Sequence, residues 1–272
     1  MLNLSKKKKR YIFKSIVSFL LIFSIIFTSA PTGAFVKAAG TESEGNTVEA
    51  VQTTETEPYI IGEDVSRRSE NEKHFIMSDG TRVAALYDTT VHYKDEQGEF
   101  KEVDNSFESL NINEYQTKSG KHKVKLAKKA SAKKLVTLDV EGHTVSWGFE
   151  GANKVKAQVK QTEESEEKFS AKNVNGIMYY EEAFDNVDLE YIVNSDTIKE
   201  SIILKTKAAQ NEFEINYNIG KLEPVQKDSK TIELLSDGEV IYTISAPVMF
   251  DSADNYSSDI TLEIVSQKTV CY

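Results

Sequence analysis

The sequence has almost no cysteine and little proline: Cys271 is the only cysteine, and there are four prolines in 272 residues. A single cysteine cannot form an intrachain disulfide, and its isolation excludes a cysteine-rich zinc site. Stability must therefore come from the burial of apolar side chains. The sequence also lacks a Gly-x-Ser-x-Gly motif, a phosphate-binding glycine loop and a nucleophilic cysteine context. Covalent and nucleotide chemistry thus have no candidate residues, and we expect no catalytic or cofactor-binding residue.

Long apolar runs are scarce, and the clearest one lies near the N-terminus. Lys6 to Arg10 form a basic segment, and Ile16 to Ala30 form an uncharged apolar segment of 15 residues. This pattern is typical of a secretory signal peptide, because a membrane-spanning helix needs roughly 20 apolar residues. Small residues around Lys37 predict cleavage after Ala38, so residues 1–38 are expected to be a signal peptide. An uncleaved N-terminal anchor is the alternative, and both place the bulk of the chain outside the cytoplasm.

Positive charge becomes scarce once the predicted leader is removed. Residues 1–38 contain seven cations and no acidic residue, so the formal net charge changes from −10 to −17 on cleavage. An excess of negative charge favours solubility and opposes a general affinity for anionic polymers. The charge balance therefore predicts that nucleic acid is not a partner. Local basic patches can still occur on a protein of negative net charge.

The distribution of apolar residues predicts an all-β protein. Residues 39–72 are rich in Thr, Glu, Ser and Asn, and their composition is typical of a disordered polar linker. Short runs of Val, Ile, Tyr and Phe then alternate with turn residues, which indicates antiparallel β-sandwich-like modules. A polar loop or linker at 161–175 separates a β module at 73–160 from a second at 176–272. A single domain that includes both is the alternative.

The segment NVDLEYIVNSDTIKESIILK, residues 186–205, predicts a β-hairpin that turns at Ser195-Asp196. In this register Tyr191 lies opposite Glu200, and three of the four pairs on that face are wholly apolar. The alternation of side chains then puts charged residues of the first strand on a solvated face.

Four charged residues of this hairpin, Asp188, Glu190, Lys199 and Glu200, also raise the question of a catalytic carboxylate cluster. Paired catalytic carboxylates need a cleft and a separation of about 5 to 10 Å. The hairpin pattern favours a structural interpretation, in which Asp188 and Glu190 are solvated. Glu200 is the exception, because it falls on the apolar face and must lie at the sheet rim or be partly buried and paired.

A lysine-rich run lies between Glu114 and Asp139, where no acidic residue occurs. It predicts a patch that could hold an anionic polymer of the cell wall, such as teichoic acid, or nucleic acid. The structural alternative is a lysine-rich edge strand and loop that resist edge-to-edge aggregation. The patch consists of Lys118, Lys121, Lys123, Lys125, Lys128, Lys129, Lys133 and Lys134.

The four histidines show no spacing typical of metal ligands, so no metal site is predicted. Trp147, with Phe149 and His143 nearby, could form a platform on which a sugar ring stacks. Val145, Trp147 and Phe149 share one face of a predicted strand, however, and this alternation favours core packing for the indole.

A resemblance to a known family rests on two segments. MYYEEAFDNVDLEYIVNSDTIKESIILK is similar to the N-terminal β region of large exported RHS/YD-repeat proteins and of bacterial surface proteins that carry DNRLRE domains. RSENEKHFIMSDGTRVAALYDTTVHYKDEQGEFKEVDNSFE fits the opening of the same region, and the likeness extends over nearly all of residues 67–265. The residues that match the family's strand, turn and strand pattern are Asp188, Leu189, Tyr191, Lys199 and Glu200.

This resemblance implies a secreted or cell wall-associated module with a structural or adhesive role and no catalysis of its own. Its partners would be downstream DNRLRE and YD-repeat regions and a wall polymer or glycan. The 272 residues contain neither repeats nor a toxin, so we expect a truncated or partial form of such a protein. The alternative function is a β-sandwich that binds carbohydrate or wall polymer.

Overall fold

The protein is all-β, as its sequence predicts. A computed structural model describes residues 8–16, 57–160, 168–207 and 209–270. The described residues form 22 strands and one short 3-10 helix, Val65–Arg67. The strands, in chain order, are β1 Lys8–Ile16, β2 Ile60–Glu63, β3 Glu72–Met77, β4 Arg82–Leu86, β5 His92–Lys94, β6 Phe100–Glu102, β7 Asp104–Ser109, β8 Glu114–Ser119, β9 Val124–Ala127, β10 Val136–Val140, β11 His143–Phe149, β12 Gln158–Lys160, β13 Gly176–Phe184, β14 Val187–Val193, β15 Ile198–Leu204, β16 Glu212–Asn218, β17 Glu223–Gln226, β18 Ile232–Ser236, β19 Glu239–Ile244, β20 Met249–Phe250, β21 Tyr256–Ser257 and β22 Leu262–Val270.

Three antiparallel sheets surround the core. The largest has eight strands in the order β22-β1-β16-β11-β10-β9-β8-β7, and the second has the order β12-β13-β14-β15. The third consists of β17, β18 and β19, while β2-β3-β4, β5-β6 and β20-β21 form smaller sheets. The tight turns that join several strands use glycine at positive φ, as at Gly80 and Gly98.

The predicted hairpin is formed by β14 and β15 in the predicted register. Tyr191 lies opposite Glu200 and Leu189 opposite Ile202. The backbone N–H of Asn194 donates to the carbonyl of Thr197 at 3.0 Å and closes the turn. The register follows from the side-chain pattern, because a shift of one residue would turn the apolar set away from the core.

One buried apolar cluster extends across both predicted β modules. Trp147 of β11 pairs with Tyr217 of β16, so strands from either side of the 161–175 segment share one sheet. The division into modules at that segment stays a prediction. The largest fully buried side chains of the cluster are Tyr180, Tyr191, Phe213, Leu126, Leu135, Met178, Leu189, Ile219, Ile232 and Leu234.

Two strands fall in segments for which the sequence predicts no part of the fold. Ile60–Glu63, within the predicted linker 39–72, pairs with β3, and this is where Tyr59, Ile60 and Ile61 interrupt the polar composition. Lys8–Ile16, within the predicted leader, pairs with β16 and β22. The remainder of the leader lies outside the described residues, and its cleavage stays a prediction. None of the helical structure in the described part of the chain is long and apolar enough to cross a membrane.

Candidate functional site

A cleft of about 650 Å³ lies where the three main sheets meet. Its size is within the range of small-ligand sites. β10, β11 and β16 supply one wall, β15 supplies the second, and β18 and β19 supply the third. The walls are largely apolar, and the polar and aromatic groups among them include His122, Trp147, Lys199, Glu200, Tyr217 and Tyr242.

Glu200 is a polar group of this cleft that contacts residues of two sheets. Its Oε2 accepts a hydrogen bond from the indole N–H of Trp147 at 2.8 Å and another from the hydroxyl of Tyr191 at 2.9 Å. Burial raises the pKa of the Glu200 carboxyl above its ordinary value, and the two hydrogen bonds offset only part of that effect. Of the two sequence-based alternatives for Glu200, the partly buried and paired one is therefore correct.

Trp147 lies in the cleft wall rather than fully inside the core. Its neighbours on the same strand face, Val145 and Phe149, are buried as predicted, whereas the indole is half-buried and lines the cleft. The ring stacks on Tyr217, with centroids 5.6 Å apart and planes at 18°. This pair brings an aromatic surface and the Glu200 carboxyl together at one site.

Asp188 is buried, so the prediction that it is solvated is wrong. It is 2% exposed, because β14 is paired on both sides by β13 and β15 and Tyr179 and Lys205 contact the carboxylate. Its carboxylate accepts hydrogen bonds from the hydroxyl of Tyr179 and from the backbone N–H of Glu182, the latter at 2.7 Å. It also forms an ion pair with Lys205 at 2.8 Å. Burial raises the pKa of Asp188, but these partners outweigh burial and the net shift is downward.

The four charged residues of the hairpin do not form one carboxylate site. Glu190 shares the face of Asp188, and its half-buried side chain has a pKa raised by burial. Glu200 pairs with Tyr191 and therefore projects from the opposite face of the same two strands. The structure thus separates Asp188 and Glu190 from the cleft that contains Glu200.

The structure divides the lysine-rich run into two groups at opposite ends of β9. Lys118, Lys121 and Lys123 lie around the β8–β9 turn, next to His122 of the cleft wall. The remaining lysines, apart from Lys125 within β9, follow that strand in the loop to β10. β9 has 4 residues, so its two ends are roughly 10 Å apart.

The edge-strand part of the structural alternative is wrong, because β8 and β9 are interior strands of the large sheet, although most of the lysines do lie in loops. β9 pairs with both β8 and β10. Three of the lysines have local contacts: the Nζ of Lys123 donates to the carbonyl of Thr117 at 3.3 Å, that of Lys128 lies 4.8 Å from the ring centroid of Tyr115, and that of Lys118 lies 3.8 Å from a carboxylate oxygen of Asp104.

A second polar cluster consists of Glu63, His92 and Glu102, and sequence spacing gives no sign of it. One potential ligand atom from each residue lies within 4.8 Å of the others. His92 is 0% exposed, and its Nδ1 is 2.7 Å from the carbonyl oxygen of Ser69. Burial lowers the pKa of the His92 imidazole. The three residues lie on β2, β5 and β6, so only the folded chain brings them together.

Comparison with known proteins finds distant relatives of two kinds. The tRNA nuclease WapA of Bacillus subtilis (strain 168) is 22% identical over 266 residues, which cover 91% of this chain and 11% of that protein. The tRNA(Glu)-specific nuclease WapA of Bacillus subtilis subsp. natto is 23% identical over 259 residues, with 88% and 11% covered. A wall-associated protein of Geobacillus stearothermophilus is 21% identical over 254 residues, with 89% of this chain and 97% of that protein covered. No protein-family model matches the chain, and no solved structure does.

These relatives change part of the sequence-based picture. The prediction that the protein is not an enzyme is contradicted by three relatives that are named tRNA nucleases, and their names also oppose the exclusion of nucleic acid. The chain spans only 11% of the length of these nucleases. The likeness to a wall-associated protein supports a location at the cell wall or outside the cell.

Proposed function

We propose that this chain is a wall-associated module of the kind found at the start of RHS/YD-repeat surface proteins, and that it binds an anionic wall glycan. The distribution of the relatives supports wall association, while the RHS/YD part of the proposal rests on the sequence resemblance. The region shared with the nucleases is a small part of each, whereas the same region makes up almost all of the Geobacillus protein, which is named for wall association. Wall association is therefore the property best assigned to the shared region.

The single observation that carries the binding proposal is the aromatic and carboxyl surface of the cleft. The half-buried indole of Trp147, backed by the buried ring of Tyr217, provides a flat apolar face of the type on which sugar rings pack. Both donors to Glu200 reach Oε2, so among the described residues Oε1 has no protein donor and can accept a hydrogen bond from a sugar hydroxyl. A few polar groups in an apolar concavity give a ligand its orientation.

The charges beside the cleft favour an anionic polymer such as a teichoic acid. Lys121 and Lys123 are exposed and flank His122 of the cleft wall. A local basic group concentrates anionic ligands even on a protein of negative net charge. The contribution is electrostatic, so binding is expected to weaken as salt is raised.

Sedimentation with cell walls isolated from Bacillus subtilis tests this function. The variant Lys121→Glu/Lys123→Glu is expected to bind at least tenfold more weakly than the wild type, because two attractive charges beside the cleft become repulsive. The matched control Lys133→Glu/Lys134→Glu makes the same change at the other end of β9 and is expected to alter binding less than twofold. Equal losses in both variants, or no binding by the wild type, would refute the proposal.

A second candidate function is the cleavage of tRNA, which the names of three relatives favour. It is tested by incubating the purified chain with total tRNA and divalent cations and resolving the products on a denaturing gel. Discrete fragments that appear in proportion to protein concentration would support cleavage by this chain. Intact tRNA under all these conditions would exclude it, and neither result depends on wall binding.

A further inference from the structure

The imidazole of His92 has a buried nitrogen without a partner. The ring is 0% exposed, and its Nε2 has no hydrogen-bond partner. Nδ1 lies 2.7 Å from the carbonyl oxygen of Ser69, which can only accept, so Nδ1 carries the proton and the neutral ring has a bare lone pair at Nε2. A carboxylate oxygen of Glu63 is 3.7 Å from this lone pair. The Glu63 oxygen also accepts from Arg68, whereas Nε2 has no donor, and a cation between the two atoms would give Nε2 its missing partner.

We propose that Glu63, His92 and Glu102 form a binding site for a first-row divalent metal cation, with Zn²⁺ as the expected occupant. One imidazole and two carboxylates are a ligand set that Zn²⁺ accepts, and the nitrogen ligand disfavours Mg²⁺ and Ca²⁺. Two tetrahedral ligands at about 2.1 Å from zinc are roughly 3.4 Å apart. The 3.7 Å between Nε2 of His92 and Oε1 of Glu63 is close to that separation.

As in many metal sites, neighbouring groups hold two of the three potential ligands in fixed orientations. The bond from Nδ1 to a backbone carbonyl fixes the ring orientation and the tautomer, as outer groups commonly do for metal-binding histidines. Arg68 donates to both oxygens of Glu63, at 2.7 and 2.8 Å, and so orients that carboxylate. Each carboxylate oxygen has a second lone pair that is available to a cation.

Lys73 competes with a metal for the third ligand. Its Nζ lies 2.6 Å from Oε1 of Glu102, whose side chain is 53% exposed and therefore has room to rotate. A metal must displace this ammonium group from the carboxylate. Removal of the lysine charge should therefore tighten metal binding. If the residues formed only a structural ion-pair network, the same change would only remove a stabilising contact.

Occupation of the site would tie two separate parts of the chain together. Glu63 ends β2, whereas His92 and Glu102 lie opposite each other on β5 and β6. Metal binding would therefore fix the small β2-β3-β4 sheet against the β5-β6 hairpin. Because folded protein alone would hold the three ligands in place, the metal should also raise the unfolding temperature.

Isothermal titration of the full chain with ZnCl₂, after dialysis against EDTA, tests the site. The wild type is expected to bind one ion saturably, with an unfolding temperature that rises on binding. His92→Gln should abolish this binding. Glu102→Gln should weaken it at least tenfold, and since Glu102 is exposed, that variant remains informative if His92→Gln fails to fold. Lys73→Met should strengthen it.

Two matched controls complete the experiment. His74→Gln removes the other histidine that lies 3.7 Å from a glutamate, Glu72, and Lys101→Met removes a lysine of the β5-β6 hairpin that pairs instead with Asp95 and Glu99. Both should leave zinc affinity within twofold. The absence of saturable binding, or binding that is unchanged in Glu102→Gln and Lys73→Met, would overturn the proposal.

Discussion

Asp188 illustrates how a charged side chain is stabilised inside a sheet, and it gives the first prediction. Asp188→Ala removes the acceptor of Tyr179, the Glu182 N–H and Lys205, and should lower the free energy of unfolding by about 2–3 kcal/mol. Its folded-state pKa is lowered, so this stabilisation is present above the ordinary pKa and is lost as pH falls through the folded-state value.

Urea denaturation at pH 7 measures the loss. The control is Asp185→Ala, on an exposed side chain of the adjacent turn, which should change stability by less than about 0.5 kcal/mol. If both variants lost the same stability, the network around Asp188 would have no special role.

Glu200 gives a prediction with the opposite dependence on pH. Its pKa is raised above 4.5 by burial, so the protonated form is favoured in the folded state, and that stabilisation is lost as pH rises through the folded-state pKa. Glu200→Gln keeps an acceptor oxygen for Trp147 and Tyr191 without the charge. It should therefore be more stable than the wild type at pH 8, by on the order of 1 kcal/mol, and nearly equal to it at pH 4.

Thermal unfolding at the two pH values provides the test. Glu239→Gln, at an exposed position, serves as the control and should shift neither transition. A wild type more stable than Glu200→Gln at pH 8 would show that the buried carboxylate is net stabilising.

At the residue scale, the sequence predicts on which face of a strand a side chain lies, but not which distant residue it contacts. Alternation alone predicts that Leu189 is buried and that Glu200 shares its face. It cannot predict that Trp147, from another sheet, donates to Glu200, or that Lys205 reaches Asp188. The His92 cluster is undetectable for the same reason, since its members meet only through pairing of distant strands.

At the scale of elements, the β14–β15 hairpin is the part that the sequence predicts best. Its apolar face is continuous, so one register buries it and a shifted register exposes it. Leu189→Asp would place an unpaired charge at a position that is 0% exposed. We expect this variant to be unfolded at 25 °C and to show no cooperative transition on heating.

Circular dichroism during heating distinguishes the outcomes for this variant. Leu86→Asp makes the same substitution in β4, at a side chain that is 71% exposed, and should unfold like the wild type. A normal transition for Leu189→Asp would contradict the assigned face of the hairpin.

For the lysine-rich strands, the sequence predicts a strand but not whether it lies at the edge or in the interior of the sheet. Val124 and Leu126 alternate with Lys125, and this local pattern is compatible with an edge strand or an interior one. Pairing on both sides of β9 is decided by β8 and β10. The number of neighbours of a strand is a property of long-range contacts, which alternation does not encode.

At the scale of the molecule, Gly176 joins the two predicted modules. A Cβ at this position would lie 1.9 Å from the carbonyl oxygen of Asn105, which belongs to β7. Asn105 also donates from its side chain to the carbonyl of Val174 at 2.7 Å. Gly176→Ala must separate these strands, and it should cost about 1–3 kcal/mol.

Unfolding of this variant followed by two probes tests whether the halves are coupled. Trp147 emission reports on the cleft and far-ultraviolet circular dichroism reports on all strands, and both midpoints should fall together if the unit is cooperative. Gly62→Ala, where nothing lies within 4 Å of the added Cβ, is the control and should have little effect. Two separated transitions would show independent modules.

The central claim is that the cleft binds an anionic wall glycan, and Trp147 makes it directly measurable. Trp147 is the only tryptophan of the chain, so its emission reports on the cleft alone. We predict a saturable change in emission when the protein is titrated with purified wall teichoic acid, and a weaker response in Lys121→Glu/Lys123→Glu than in Lys133→Glu/Lys134→Glu. Unchanged Trp147 emission at polymer concentrations that saturate binding to walls would contradict the claim.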